Sequence, residues 1–459
     1  MIKKAGTKYG VILGTEEKHC TVFKGIPYAK APVGELRFKK PKEPDAFSAE
    51  YAADHFRARC IQAAPEGFYK KEFYDNPAFM PEESEDCLYL NIWTPAESST
   101  EDRLPVAFWI HGGAFMNGFG SELEFDGEAF AKKGVILVTI NYRLNIFGFF
   151  AHSWLSEESE EGISGNYGIF DQLAALRWVH GNIAAFGGDP DRITIFGQSA
   201  GCMSVQTILS SPLSEGLVSG AVMQSAAGYR GGLSSDLPLH KAEEAGVDFC
   251  EMFGIGSLEA LRGIPAADLY RMMGEYAQAR TMKLMAKAAE MRAQGEEMDL
   301  LKEAMIYAPV IDGVLLREGY EAVLENGHFP NFPYIVGSCK NDIGSAPGNT
   351  DGEHLLYHGS QNLAKLLHDQ GHKPVYVYRF DRQMPGDEMG AFHSSELWYV
   401  FGTYGRCWRP LDARDVALSG EIVSYWTNFM KTGDPNGTAL SEWKAYTGDA
   451  GEVMLFNIE

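Results

Sequence analysis

Five residues, Gly197-Gln-Ser-Ala-Gly201, constrain this chain more than any others. They follow the β-branched, apolar run 192–196 and precede residues 200–211, whose pattern reads as a helix. A serine flanked this way at a strand-to-helix junction marks a sharp, strained turn. A side chain at 197 or 201 would collide with its neighbours, and the turn lifts the serine hydroxyl clear of the sheet at the start of the helix. A glycine-rich loop with an incidental serine can match so short a pattern. The strand before it and the helix after it make Ser199 a candidate nucleophile.

The surrounding sequence alternates in the same way. The apolar runs Val106–Ile110 and Val135–Ile140 end in His111-Gly-Gly113 and Asn141-Tyr-Arg143, and residues 173–179 carry helical spacing. Strand patterns return at Tyr334–Gly337 and Val375–Phe380, and a helix over 420–431 is closed by Gly433. Such alternation predicts a mostly parallel sheet with helices on both faces. From about 233 to 305 the chain turns helical, with a methionine-rich amphipathic stretch at 282–305. Its methionines are expected to pack in the core, the other reading being an acyl pocket. With no internal repeat or low-complexity linker, all 459 residues read as one domain carrying a helical, cap-like insertion at 233–305.

His111-Gly-Gly-Ala-Phe115 leaves a strand well upstream of the serine. Acyl transfer builds negative charge on a carbonyl oxygen, and backbone N–H groups on glycines can approach that oxygen closely. Gly112, Gly113 and Ala200, the residue after the serine, are the candidate donors. The order serine, acid, histidine asks for a base late in the chain. Of the seven histidines after Ser199, His393 sits in a loop after the strand Val375–Phe380, whereas its rivals lie in polar, helix-like or turn sequence. Three carboxylates compete for the acid. Asp342 follows the strand Tyr334–Gly337 by a short loop, Asp312 sits in a turn closed by Gly313, and Glu396 lies three residues past the histidine. Chain order favours Asp342, with Glu396 supporting the histidine loop; a turn-forming Asn341-Asp342 pair before Gly344 is the plainer reading.

Beyond these motifs, the text 23–29 (Phe-Lys-Gly-Ile-Pro-Tyr-Ala), Leu36-Arg-Phe38, 84–91 (Ser-Glu-Asp-Cys-Leu-Tyr-Leu-Asn), the stretch 186–201, Tyr425-Trp-Thr-Asn-Phe429 and Gly433-Asp-Pro-Asn-Gly437 resembles the type B carboxylesterases, the carboxylesterase/cholinesterase family, along nearly the whole chain. The resemblance implies an α/β-hydrolase fold and ester hydrolysis through an acyl-enzyme, with neither metal nor organic cofactor. By position it carries the nucleophile to Ser199, the base to His393 and the oxyanion donors to Gly112, Gly113 and Ala200. Ser225, in Met223-Gln-Ser-Ala226, matches a serine that supports the triad. The family's elbow usually holds a glutamate where this chain has Gln198, a position expected to lie behind the nucleophile. Its acid is usually a glutamate, where this chain offers Asp342. Cys60 and Cys87 match a disulfide of extracellular relatives and are expected to lie close together. The family also contains adhesion-type members without activity, which typically lose a triad element, and a lipase or amidase could use the same constellation.

The formal net charge of −22 repels phosphate backbones and anionic lipid, which argues against nucleic acid or a membrane surface as partner. No apolar run reaches the length of a signal peptide or a membrane span. Seven cysteines at irregular spacing, without a Cys-x-x-Cys pair, support neither a zinc site nor a disulfide scaffold. The expectation is a cytoplasmic enzyme acting on a small ester of short to medium acyl length, its pocket narrowed by the helical insertion. The sequence leaves the oligomeric state open.

Overall fold

The run Leu104–Ile110 is buried almost throughout, and its side chains alternate between two cores. Val106, Phe108 and Ile110 enter one, Ala107 and Trp109 the other. A strand covered on both faces belongs inside a sheet sandwiched by helices. The computed structural model describes every residue except 1, 64, 96, 297, 299–302, 346–350 and 459. Among the described residues ten strands form the main sheet. Its spatial order is Met454–Phe456, Val375–Phe380, Tyr334–Cys339, Gly220–Gln224, Gly188–Gln198, Leu104–Ile110, Ile136–Ile140, Tyr89–Pro95, Cys20–Pro27 and Thr15–Glu16. The first seven pair in parallel. The remaining pairings are antiparallel.

Helices Tyr167–Asn182 and Ala200–Ser210 supply the core on one face of the sheet. Helix Ala413–Thr432 supplies the other through Leu418, Ile422, Trp426 and Phe429. This last helix begins earlier than its apolar pattern suggests. Asp412 and Asp415 close a capping box at its start, and Gly433, at φ 77°, ends it in the left-handed conformation. The fold is the expected α/β-hydrolase arrangement, a mostly parallel sheet flanked by helices.

Between the neighbouring strands Gly220–Gln224 and Tyr334–Cys339 the chain inserts helices Leu239–Met252, Leu258–Gly263 and Ala266–Ala293. Phe249, Leu261, Leu269, Met273 and Tyr276 join the core, and the Phe249 ring packs edge-on against Phe150. The methionine expectation holds for Met305, which packs against the core, and needs correcting for Met282 and Met285. Tyr276 is the last buried residue of the long helix, and beyond it Met282 and Met285 are 61% and 60% exposed. A helical stripe is buried only where another element meets it, and among the described residues none covers Met282 or Met285. Residues 297 and 299–302 of the predicted methionine-rich stretch lie outside the described residues. No helix among those described is long and apolar enough to cross a membrane.

Candidate active site

The strand Gly188–Gln198 meets the helix Ala200–Ser210 at Ser199, which takes φ 56° and ψ −127°. A non-glycine residue there is strained by about 1–3 kcal/mol, and the surroundings must enforce it. They do so by close packing. A Cβ on Gly197 would lie 2.5 Å from the Gly201 carbonyl, and one on Gly201 would lie 2.1 Å from the Ile110 carbonyl oxygen. The Ser199 N–H donates to the Gln224 carbonyl at 2.9 Å, tying the turn to the next strand. Ser199 lines a cavity of about 380 Å³ together with Gly112, Gly113, Gln198 and His393.

The loop after Leu104–Ile110 comes up against this turn. A Cβ on Gly112 would stand 2.8 Å from the Gln198 carbonyl oxygen and 3.1 Å from Ser199 Cβ. Gly113 has φ 98°, and a side chain on it would strike the Asn117 carbonyl at 2.1 Å. His111 anchors the loop. It is buried, stacks on Tyr142 with ring centroids 4.4 Å apart, and its Nδ1 lies 2.9 Å from the Gly112 carbonyl oxygen. Burial pushes its pKa down to about 4, so the ring is neutral and structural.

His393 Nδ1 lies 2.5 Å from Asp342 Oδ1. The carboxylate also accepts the N–H groups of Cys339 and Ile343, each at 2.8 Å. Burial pushes the Asp342 carboxyl up, but the His393 charge and these hydrogen bonds outweigh it and hold the group below the usual carboxylate range. For His393, burial works downward, while Asp342 and then Glu396 pull the ring above its ordinary value. Aspartate is one methylene shorter than glutamate, and a bridge between the two loops makes up the reach. Asn341 N–H donates to the Ala391 carbonyl at 2.9 Å, and Ala391 N–H returns a bond to Asn341 Oδ1 at 3.0 Å. The acid loop is thereby pinned directly to the histidine loop.

The rival carboxylates are occupied elsewhere. Asp312 Oδ1 accepts the N–H groups of Val314 and Leu315 at 2.9 and 2.7 Å, and Oδ2 accepts from Asn166. Glu396 is buried beneath the loop, where it accepts the Cys339 thiol at 2.9 Å and Gln224 Nε2 at 3.2 Å. Burial raises its pKa. Ser225, at φ 56°, lies beside Asp342 and helps hold that carboxyl's pKa down, without closing a hydrogen bond of normal geometry. Gln198 is not behind the nucleophile. The sharp turn at Ser199 carries it into the cavity, where Nε2 lies 3.2 Å from His393 Nε2 and 3.4 Å from Nδ1.

Two further expectations are altered. Among the described residues none from 233–305 lines the cavity, so the described part of the insertion does not narrow it. The wall comes instead from Tyr69, Phe73 and Tyr74 and from Glu122, Glu124 and Phe125. Sequence reasoning passed over the last group, although the acid-rich Ser121-Glu-Leu-Glu-Phe-Asp126 follows the glycine loop by only a few residues. Cys60 and Cys87 do lie against each other, close enough for the Cys60 thiol to raise the Cys87 pKa, and both are unbonded.

A strained serine at a strand-to-helix turn, on a mostly parallel sheet, beside a histidine bonded to a late aspartate, defines an α/β hydrolase of the serine type. The chain belongs to the carboxylesterase family, whose model matches residues 3–348 and 348–459. It is 33% identical to the para-nitrobenzyl esterase of Bacillus subtilis (strain 168), across 99% of this chain and 94% of that protein. It is 32% identical to the fumonisin B1 esterase of Sphingopyxis macrogoltabida, across 98% and 85%. Among solved structures, a PNB esterase superimposes with a TM-score of 0.81 at 30% identity, covering 100% of this chain and 96% of that one. A Geobacillus stearothermophilus carboxylesterase gives 0.77 at 33%, covering 99% and 96%. The chain is an ester hydrolase.

Proposed function

We propose that hydrolysis runs through an acyl-enzyme on Ser199, with short to medium acyl esters as substrates. The observation that carries this reading is the 2.5 Å contact between His393 Nδ1 and Asp342 Oδ1, with Ser199 and the same imidazole lining one cavity. Asp342 fixes the tautomer with the proton on Nδ1 and makes Nε2, which the Gln198 amide approaches at 3.2 Å, the accepting nitrogen. His393 takes the Ser199 proton as the hydroxyl attacks the ester carbonyl. The oxyanion is met by the N–H groups of Gly112, Gly113 and Ala200 at the positive end of the helix Ala200–Ser210. The imidazolium, held by Asp342, protonates the leaving alcohol. Water activated by the same ring then releases the acid and restores the serine.

Ser225 and Glu396 support the triad from outside it, and Gln198 holds the imidazole from the cavity side. The 380 Å³ cavity is at the small end for ligand sites, which supports compact esters over long-chain lipids. The chain acts as one domain, and its seven unbonded cysteines support a reducing, cytoplasmic setting. The test is hydrolysis of a p-nitrophenyl ester, its loss on treatment with a serine-directed organophosphate, and the mass of the adduct on the peptide carrying Ser199. Turnover with no adduct on that peptide overturns the assignment; no turnover with any ester leaves a binding protein.

A further inference from the structure

The short helix Gly67–Phe73 carries part of the aromatic wall of the cavity, since Tyr69 and Phe73 line it along with Ser199. Seven residues are too few to sustain a helix alone, and the N-cap residue Glu66 makes no side-chain cap. Tertiary contacts must therefore fix its position. Its buried residues are Phe73 and one charged residue, Glu72.

Glu72 does not line the cavity. Its carboxylate reaches instead to the segment that follows the histidine loop. It accepts Trp408 Nε1 at 2.8 Å, Trp398 Nε1 at 3.1 Å and Arg409 Nε, which lies 3.0 Å from each oxygen. The Arg409 side chain is wholly buried, and the rest of its guanidinium donates to Asp387 at 2.9 and 2.8 Å and to the Pro385 carbonyl at 3.0 Å. A buried ion pair holds only when its hydrogen bonds are satisfied, and removing one partner strands the other. Ring contacts reinforce the same joint. Phe68 meets Phe392, the neighbour of His393, edge-on at 4.9 Å, and Phe73 stacks on Trp398 at 5.5 Å.

We propose that Glu72 is a positioning residue that sets which esters the cavity admits, by clamping the aromatic helix against the segment 398–409. The proposal rests on reading this cavity as the ester pocket. The reacting groups do not hang on the clamp. His393 is held by Asp342 and by the bridge between Asn341 and Ala391, and none of these bonds Glu72. Weakening the clamp therefore changes the size selection and spares the chemistry. An ester too large for the 380 Å³ cavity must displace the helix, so its kcat/KM scales with the fraction of molecules whose wall is open. Removing one charge-assisted hydrogen bond raises that fraction by about tenfold.

The experiment uses two variants and three esters. Glu72→Gln keeps the shape, loses the charge and turns an NH₂ toward donors. Trp408→Phe removes one indole N–H, and because Trp408 is 37% exposed this variant keeps the fold even where Glu72→Gln does not. The compact ester is p-nitrophenyl butyrate; p-nitrophenyl dodecanoate enlarges the acyl side and fluorescein dibutyrate the alcohol side. In Glu72→Gln, kcat/KM for at least one large ester relative to the compact one should rise about tenfold, carried by KM, and by a smaller factor in Trp408→Phe. The kcat for p-nitrophenyl butyrate should stay within about twofold of wild type. Amide hydrogen exchange gives a readout without turnover: residues 67–74 should exchange faster in both variants, and residues 391–395 should not. A pair that only stabilises the fold would lower activity on all three esters in proportion. Unchanged ratios for both large esters overturn the proposal and leave the esterase reading intact. Faster exchange at 67–74 in a protein that hydrolyses none of the three esters supports the clamp and overturns the esterase reading instead.

Discussion

Replacing Asp342 by asparagine tests the site at the point where this chain departs from its family. The carboxylate accepts three donors: His393 Nδ1–H and the Ile343 N–H on Oδ1, and the Cys339 N–H on Oδ2. An amide of the same shape has one accepting oxygen. With that oxygen toward His393, the new NH₂ faces the Cys339 N–H and a buried donor loses its acceptor, at a cost of about 1–3 kcal/mol in stability. With the oxygen toward Cys339, the NH₂ faces both Nδ1 and the Ile343 N–H, and the imidazole is driven to the tautomer with its proton toward Ser199. In either orientation the imidazolium loses a negative charge at 2.5 Å. At an effective dielectric of about 20 that interaction is worth about 7 kcal/mol, and losing most of it lowers kcat by about 10⁴. A second signature follows from the sign of the His393 shift. Asp342 raises the imidazole pKa, and only the neutral ring accepts a proton, so the wild-type acid limb of kcat/KM should lie above the ordinary 6.5. In Asp342→Asn the limb should move to lower pH as activity falls. The assay is the pH profile of p-nitrophenyl butyrate hydrolysis, with Glu396→Gln as comparison, which should cost far less because Glu396 bonds Cys339 and Gln224 rather than the ring. An Asp342→Asn enzyme within tenfold of wild type, alongside a dead Glu396→Gln, would refute the assignment.

Ser199→Ala should lower kcat by about 10⁶ while leaving the thermal transition nearly unchanged, since the turn accepts a methyl side chain; residual turnover of more than a few per cent in clean protein contradicts this. Across p-nitrophenyl esters, kcat/KM should peak at short to medium acyl chains, and equal efficiency on emulsified long-chain triglyceride would show that the 380 Å³ cavity does not set the limit. Alkylation of protein extracted from cells should count seven free thiols, whereas five would mean that the adjacent Cys60 and Cys87 are oxidised in their native compartment.

The elbow was legible because its chemistry is local. Gly197 and Gly201 are required by contacts within a few residues and one neighbouring strand, so the sequence carries the whole reason. The buried strands were legible for a similar reason, since an apolar run such as Leu104–Ile110 declares that both its faces are covered. His393 and Asp342 were legible as candidates only. Spacing left the acid among three carboxylates, and the choice depended on where each side chain's other hydrogen bonds fall, a matter of packing between distant segments. The bridge from Asn341 to Ala391, the swing of Gln198 into the cavity and the bonding of Glu72 to Arg409 have no periodic trace in the chain. The exposed Met282 and Met285 show the same limit from the other side, for an apolar helical stripe records only the capacity to be buried. Whether it is buried depends on a neighbouring element, and that partner is chosen by the tertiary structure alone.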